Sequence, residues 1–339
     1  MRAAVMALAV ALVGCGSASG SGDGGPPDAS EERDAGATRM DAGRDAGSTP
    51  TALRPCAVGF DACFFLTPEE TGLPATGAGA TVDQIALRPS APRGELLVFL
   101  NGSGGSPRGP VASDPRNNFY TVARDAGLHV LAVSYRSDDP VGRLCPPTSP
   151  TRDACYEPTR RAIVTGVPQE GAAPELAGIE EHEGVYARIA AALRTLAAGD
   201  PDGGWNAFID DAATEPGAAI RWDRVFVSGH SQGGGHAALL GKLHGVARVV
   251  MLAAPCDSVS SAPASWLTRT AEYRTEAARY VALGALGDPI CGTQYAAWDR
   301  LGLSDAASDD SAVVCAGEDA HSAPIRCNEN AERWSALLR

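Results

Sequence analysis

A chain of 339 residues with 41 Asp and Glu against 28 Lys and Arg, a formal net charge of −13, has no basic cluster for a nucleic-acid backbone. Hydrophobic residues make up 44% and aromatic ones 6%, which suits a globular protein with an Ala- and Gly-rich core. Lys242 is the only lysine, so arginine carries nearly all the positive charge.

Arg2 followed by the apolar run of residues 3–13 reads as a secretory signal, because that run is too short to span a bilayer. The run ends Leu12-Val13-Gly14-Cys15. This resembles a bacterial lipobox, in which the cysteine is acylated. Residues 1–15 are therefore expected to form a lipoprotein signal peptide, with Cys15 as the lipidated residue. Stable anchoring takes two or more acyl chains. The expectation is an exported protein of the bacterial cell envelope, held to the membrane by an N-terminal lipid anchor; an ordinary cleaved signal and a secreted product is the alternative. Residues 16–52 are rich in Gly, Asp and Ala, and Asp-Ala-Gly recurs irregularly at Asp34, Asp41 and Asp45. Such a segment buries too little apolar surface to offset chain entropy, so a disordered linker is expected. As a flexible coil it spans about 35 Å. Nine cysteines less Cys15 leave an even number, in a chain bound for a compartment where disulfides persist. No Cys-x-x-Cys pair occurs, which argues against a structural zinc site.

Residues 53–339 alternate strand and helix patterns, in chain order. LLVFLNG (96–102) and LHVLAVSY (128–135) are continuous apolar runs, as strands buried on both faces should be, and NNFYTVARDAG (117–127) between them reads as a helix. A long insert with Pro and Arg follows at about 137–173 and is expected to overhang the crevice, either as a substrate-shaping cap with Tyr156 as a wall or as decoration without function. ELAGIEEHEGVYARIAAALRTLAA (175–198) predicts the longest amphipathic helix, with Ile179, Val185, Ile189, Leu193 and Leu196 near one face. A second insert at 200–221 offers Trp205 as an anchor into the core. RVFVSG (224–229) predicts a strand and GGHAALLGKLHG (234–245) the next helix. ARVVMLAAP (247–255), RYVALGALGD (279–288) and SAVVCAG (311–317) predict three further strands, and NENAERWSALLR (328–339) a closing helix. This alternation predicts an α/β fold, a mostly parallel central sheet with helices on both faces and a binding crevice at the carboxyl ends of its strands.

Gly229-His230-Ser231-Gln232-Gly233 matches Gly-x-Ser-x-Gly, with a strand pattern directly before it and a helix pattern directly after. In that setting the serine sits on a sharp, strained turn, and the positions two before and two after must lack bulk. A serine is a poor nucleophile until a base, itself oriented by an acid, takes its proton. Of the six histidines, His129 falls in a strand, His182 on a helix, and His236 and His244 on the helix after the turn. His230 is expected to point away from Ser231, which leaves His321, in the loop GEDAHSAP, as the base. Asp288, at the end of a predicted strand, is the expected acid, with Asp257 as competitor; Glu318 and Asp319 are too close in sequence to His321 to bridge it. Developing negative charge on a carbonyl oxygen needs fixed donors. The Gln232 amide should be one, and Ser103, in the loop Asn101-Gly102-Ser103-Gly104-Gly105-Ser106, the other. No Gly-Lys-Ser/Thr follows that loop, so phosphate binding fits it less well.

Ser231, Asp288 and His321 follow in the order of the α/β-hydrolase triad. The chain resembles the α/β-hydrolase superfamily over most of residues 55–339, and its loop at 101–106 is similar to the HGGG-type loop of esterases with Asn101 in place of histidine. The resemblance implies a serine hydrolase of the carboxylesterase or lipase kind, acting on a small-molecule or lipid ester through an acyl-enzyme, with no cofactor and no metal. A serine peptidase of the same fold and a non-catalytic tethered binding protein are the alternatives. In such a fold the strands before Asp257 and Asp288 should be neighbours. Four disulfides are then expected between local or adjacent partners: Cys256–Cys291, Cys315–Cys327, Cys145–Cys155 and Cys56–Cys63.

Overall fold

The computed structural model describes residues 53–56, 62–75, 84–110 and 118–339. The expected signal peptide, the lipidation at Cys15 and the linker of 16–52 lie outside the described residues. Among the described residues the main sheet is built from β1 (Arg54–Pro55), β2 (Cys63–Leu66), β3 (Gln84–Leu87), β4 (Leu96–Leu100), β5 (His129–Val133), β6 (Val225–His230), β7 (Arg248–Leu252), β8 (Tyr280–Leu283) and β9 (Ser308–Asp309). Their order is β1-β2-β3-β5-β4-β6-β7-β8-β9. β1, β2 and β3 run antiparallel along one side, and every pair from β5 to β9 is parallel. The order reverses at β4 and β5, so the chain leaves the carboxyl ends of β4 and β6 side by side. This is the α/β-hydrolase fold, as the order of motifs implied.

The doubly apolar strands explain why the sheet is covered twice. On β4, Leu96, Val98 and Leu100 join one core cluster, whereas Leu97 and Phe99 join another on the opposite face. The helices divide accordingly. α1 (Phe119–Asp125) lies on the second face, with α8 (Ala331–Leu337) beside it; Phe119 meets Phe99 at 5.9 Å and Trp334 at 6.0 Å between ring centroids. Asn118 caps α1, its side chain accepting from the Tyr120 and Thr121 amides, a contact worth about 1 kcal/mol. The first face carries α3 (Arg152–Thr165), α4 (Val185–Gly199) and α5 (Gln232–Leu243), through residues such as Ile163, Leu193 and Leu239. Between β5 and α3 lies the short α2 (Val141–Leu144), so the insert at 137–173 is a pair of helices, tied together by Cys145–Cys155. The second insert is anchored as expected: Trp205 is fully buried, its ring centroid 4.7 Å from that of His129. Among the described residues no helix is long and apolar enough to cross a membrane.

Two expected elements differ. The helix predicted over 175–198 starts only at Val185, preceded by single turns at Pro174–Leu176 and Glu181–Glu183. Close approach of two backbones overrides the periodicity here: a Cβ on Gly184 would come within 2.5 Å of the Gly166 nitrogen. Ile179 still reaches the core, from outside the helix. The strand predicted over 311–317 is absent: β9 ends at Asp309 and only an isolated bridge, Ala285 to Ser311, continues it. Val313 and Val314 are exposed, and the Asn330 side chain, rather than a neighbouring strand, pairs with the Val313 backbone, accepting from its amide at 2.8 Å and donating to its carbonyl at 3.1 Å. The apolar run at 312–314 is therefore a loop tied down by a side chain.

Candidate active site

Ser231 stands between the end of β6 and the start of α5 with φ 54° and ψ −118°, a conformation that strains any residue with a Cβ. Its amide donates to the Leu252 carbonyl at 2.9 Å, and its carbonyl accepts from Gly235 at 3.1 Å. The flanking glycines are required by space. A Cβ on Gly229 would collide with the Gly233 backbone, and one on Gly233 with the Leu100 carbonyl. The turn thus closes against the end of β4, and the Ser231 side chain faces a cavity of about 600 Å³.

His321 lines the same cavity, and Asp288 lies behind it; both are buried. His321 Nδ1 lies 2.9 Å from Asp288 Oδ2, so the Nδ1–H donates to the carboxylate and Nε2 is left as the acceptor. The carboxylate also accepts from the amides of Ile290 at 2.8 Å and Cys291 at 2.9 Å, and from Gln294 Nε2 at 3.1 Å. Burial acts to raise the Asp288 carboxyl, but the bonds from His321, Cys291 and Ile290 outweigh it and hold it below its ordinary value. The backbone around His321 is fixed by Asp319, whose carboxylate accepts from the His321 and Ser322 amides at 2.9 and 2.8 Å. Among the described residues no hydrogen bond joins Ser231 to His321; such bonds are often long before substrate is bound.

His230 lines the same cavity. Its ring turns toward His321, 4.9 Å away between centroids, and its Nε2–H donates to the His321 carbonyl at 2.8 Å. Burial, helped by the nearby His321, pushes its pKa down to about 4, so it is a neutral donor at pH 7. Asp257, the competitor for the acid, is engaged elsewhere: it takes two hydrogen bonds from Arg160, at 2.6 and 2.7 Å, and one from Trp266 Nε1 at 2.9 Å. Arg160 is itself fully buried and donates to the Gln232 carbonyl at 2.9 Å. Only glycine at 235 leaves room for its guanidinium. Sequence reasoning missed Arg160, because its partners lie 72 and 97 positions away.

The loop after β4 meets the other side of Ser231. Asn101 does not face the cavity; its Nδ2 donates to the Gly102 and Gly105 carbonyls and to Ser137 Oγ, each at 2.9 Å, and so sets the shape of the loop. Ser103 Oγ donates to Gln232 Oε1 at 2.7 Å, and the Val141 amide meets the same oxygen at 3.0 Å. The backbone amides of Ser103 and Gln232 have no acceptor among the described residues. Both residues line the cavity that Ser231 faces.

All four cysteine pairs named from the sequence are disulfides in the structure: Cys56–Cys63, Cys145–Cys155, Cys256–Cys291 and Cys315–Cys327. Cys256–Cys291 joins the loops after β7 and β8, and Cys315–Cys327 brackets His321. Among the described residues two groups of metal-donor atoms lie close together, Asp288 with Cys291 and His321, and Cys315 with Cys327 and Glu329. In each, the sulfur is bonded to another sulfur and is no thiolate, so neither donor set suits a metal ion.

No protein-family model matches the chain, and no curated protein resembles it. Several solved structures have a similar trace. An α/β serine hydrolase homologue from Coxiella burnetii is 12% identical, with a TM-score of 0.35 over 84% of this chain and 100% of that one. A thermostable carboxylesterase from a metagenomic library is 14% identical, with a TM-score of 0.39 over 83% and 90%. An S-formylglutathione hydrolase from Agrobacterium tumefaciens is 12% identical, with a TM-score of 0.39 over 81% and 90%. The fold itself stands on the strand order and on the turn at Ser231.

Proposed function

We propose that the protein is a serine hydrolase cleaving carboxylic esters, with Ser231 as nucleophile, His321 as general base and acid, and Asp288 as the group that orients the imidazole. The observation that carries this reading is the Asp288–His321 hydrogen bond of 2.9 Å, made beside a strained serine in one shared cavity. Nε2 of His321 takes the Ser231 proton as Oγ bonds to the ester carbonyl carbon. The carbonyl oxygen becomes an oxyanion against the Gln232 and Ser103 amides, each such donor being worth about 3 kcal/mol. The C–O bond to the alcohol then breaks, and the imidazolium proton goes to the departing oxygen. Water attacks the acyl-serine, His321 takes its proton, and the acid leaves as Ser231 regains a hydrogen.

Labelling with a fluorophosphonate, followed by mapping of the modified peptide, tests the nucleophile: the label is expected on Ser231, and a label elsewhere refutes the assignment. Hydrolysis of p-nitrophenyl esters alongside chromogenic peptides tests the bond cleaved. Turnover of peptides alone overturns ester cleavage in favour of a peptidase, and turnover of neither favours a binding protein.

We further propose that the chain is exported and held to the cell envelope through Cys15. Four disulfides support an oxidising compartment. Metabolic labelling with a fatty acid tests the anchor, since Cys15→Ala should abolish incorporation.

A further inference from the structure

The insert lines part of the cavity that Ser231 faces, and the charges there are unbalanced. Arg152, Arg160 and Arg326 line the cavity, with Asp257 as the only carboxylate among its lining residues. Arg160 and Asp257 neutralise one another. Arg326, largely exposed, has Glu318 at 3.6 Å. Arg152 differs from both: among the described residues no carboxylate lies within ion-pair distance of it. Yet it is held firmly. Its Nε donates to the Ser258 carbonyl at 2.9 Å, and its guanidinium lies 5.3 Å from the centroid of the Tyr156 ring. Tyr156 is pinned to the same carbonyl by its hydroxyl, at 3.0 Å. Nη1 of Arg152 is shut off from solvent with no partner. That nitrogen is out of a ligand's reach, and Nη2, which lies beside Gly142 on the cavity lining, is the donor left for one.

From this we infer that Arg152 is a substrate-recognition residue, and that the preferred ester carries a carboxylate that pairs with its guanidinium. The inference rests on the ester-hydrolase reading of Ser231. Nε is already given to the Ser258 carbonyl, so a carboxylate would meet the guanidinium through Nη2, in a charge-assisted hydrogen bond. The chain as a whole carries −13, so an arginine without a carboxylate partner in the cavity lining is a local exception. A neutral ester would leave that charge without a counter-ion, whereas a carboxylate supplies one.

The test compares charged and neutral esters in two pairs. The mono-p-nitrophenyl ester of adipic acid against p-nitrophenyl hexanoate places the carboxylate on the acyl side. 4-Acetoxybenzoate against its methyl ester places it on the alcohol side. In one pair, the ratio of kcat/KM for charged over neutral ester is expected to fall about tenfold in Arg152→Gln, carried by KM. Arg152→Lys keeps the charge on a differently shaped head and should fall between. Salt should raise KM for the charged ester in the wild type more than in Arg152→Gln. Melting curves of both variants check folding, and Arg152→Lys serves alone if Arg152→Gln does not fold. Turnover of the neutral esters with both ratios unchanged by substitution overturns this proposal alone. Silence on every ester overturns the ester reading and the proposal with it.

Discussion

The two sides of the cavity are built by opposite means. The serine side is backbone: β6 runs into α5 through one strained residue, and bare glycines let the turn close against β4. The histidine side has almost no regular structure. β9 is two residues long, and His321 sits in a loop before a helix of four residues, α7 (Ala323–Arg326). What holds it is side-chain and covalent: the Asp288 bond, the Asp319 turn, the His230 donor and the Cys315–Cys327 bridge. Regular elements can aim a group through geometry alone. A loop needs a separate restraint for each degree of freedom, and four are found here.

The contrast can be broken in several places. Ser231→Ala should have the largest effect, lowering kcat/KM for a p-nitrophenyl ester by about 10⁴ or more while the melting temperature holds. Asp288→Asn keeps the shape of the loop but supports the wrong imidazole tautomer, and a fall of about 10³ to 10⁴ in kcat is expected. Asp257→Asn sharpens the comparison between the two carboxylates. It leaves the buried Arg160 charge uncompensated, so the loss should appear in stability, about 3 kcal/mol by denaturant unfolding. Replacing Cys315 and Cys327 together by serine should cost about tenfold in kcat and several degrees in melting temperature, a graded loss suited to one restraint among four.

The smallest effect is one of pH. Burial holds His230 and His244 down to about 4 and His236 well below the ordinary 6.5. Between pH 6.5 and 4 the unfolded chain therefore binds more protons than the folded one. Stability should be full above pH 6.5, fall as pH drops toward 4, and fall further below the ordinary 3.8 of a carboxyl as Asp288 is protonated. A melting temperature that stays flat from pH 7 to pH 5 contradicts this.

The same contrast decides what was legible in the sequence. β4, β5, β6 and α5 write themselves in hydrophobic period and glycine spacing, which are local signals, so the serine turn could be located by eye. Asp288 and His321 were reached by chain order and elimination, and the structure brings those two side chains together. Arg160, His230 and Arg152 were not found, because their meaning lies in partners far along the chain. The false strand at 311–317 shows the complementary error: a short apolar run looks alike in a sheet and in a loop whose backbone is tied by Asn330.

The Arg160–Asp257 ion pair has a consequence for how molecules enter. Arg160 belongs to α3 of the insert, Asp257 to the loop after β7, and the Gln232 carbonyl that Arg160 also holds lies directly behind the nucleophile. Swinging α3 outward would strand a charge in the interior, so the doorway has a fixed aperture rather than a hinge. Rates on dissolved esters should then saturate smoothly with concentration, with no sudden rise where the ester begins to form droplets.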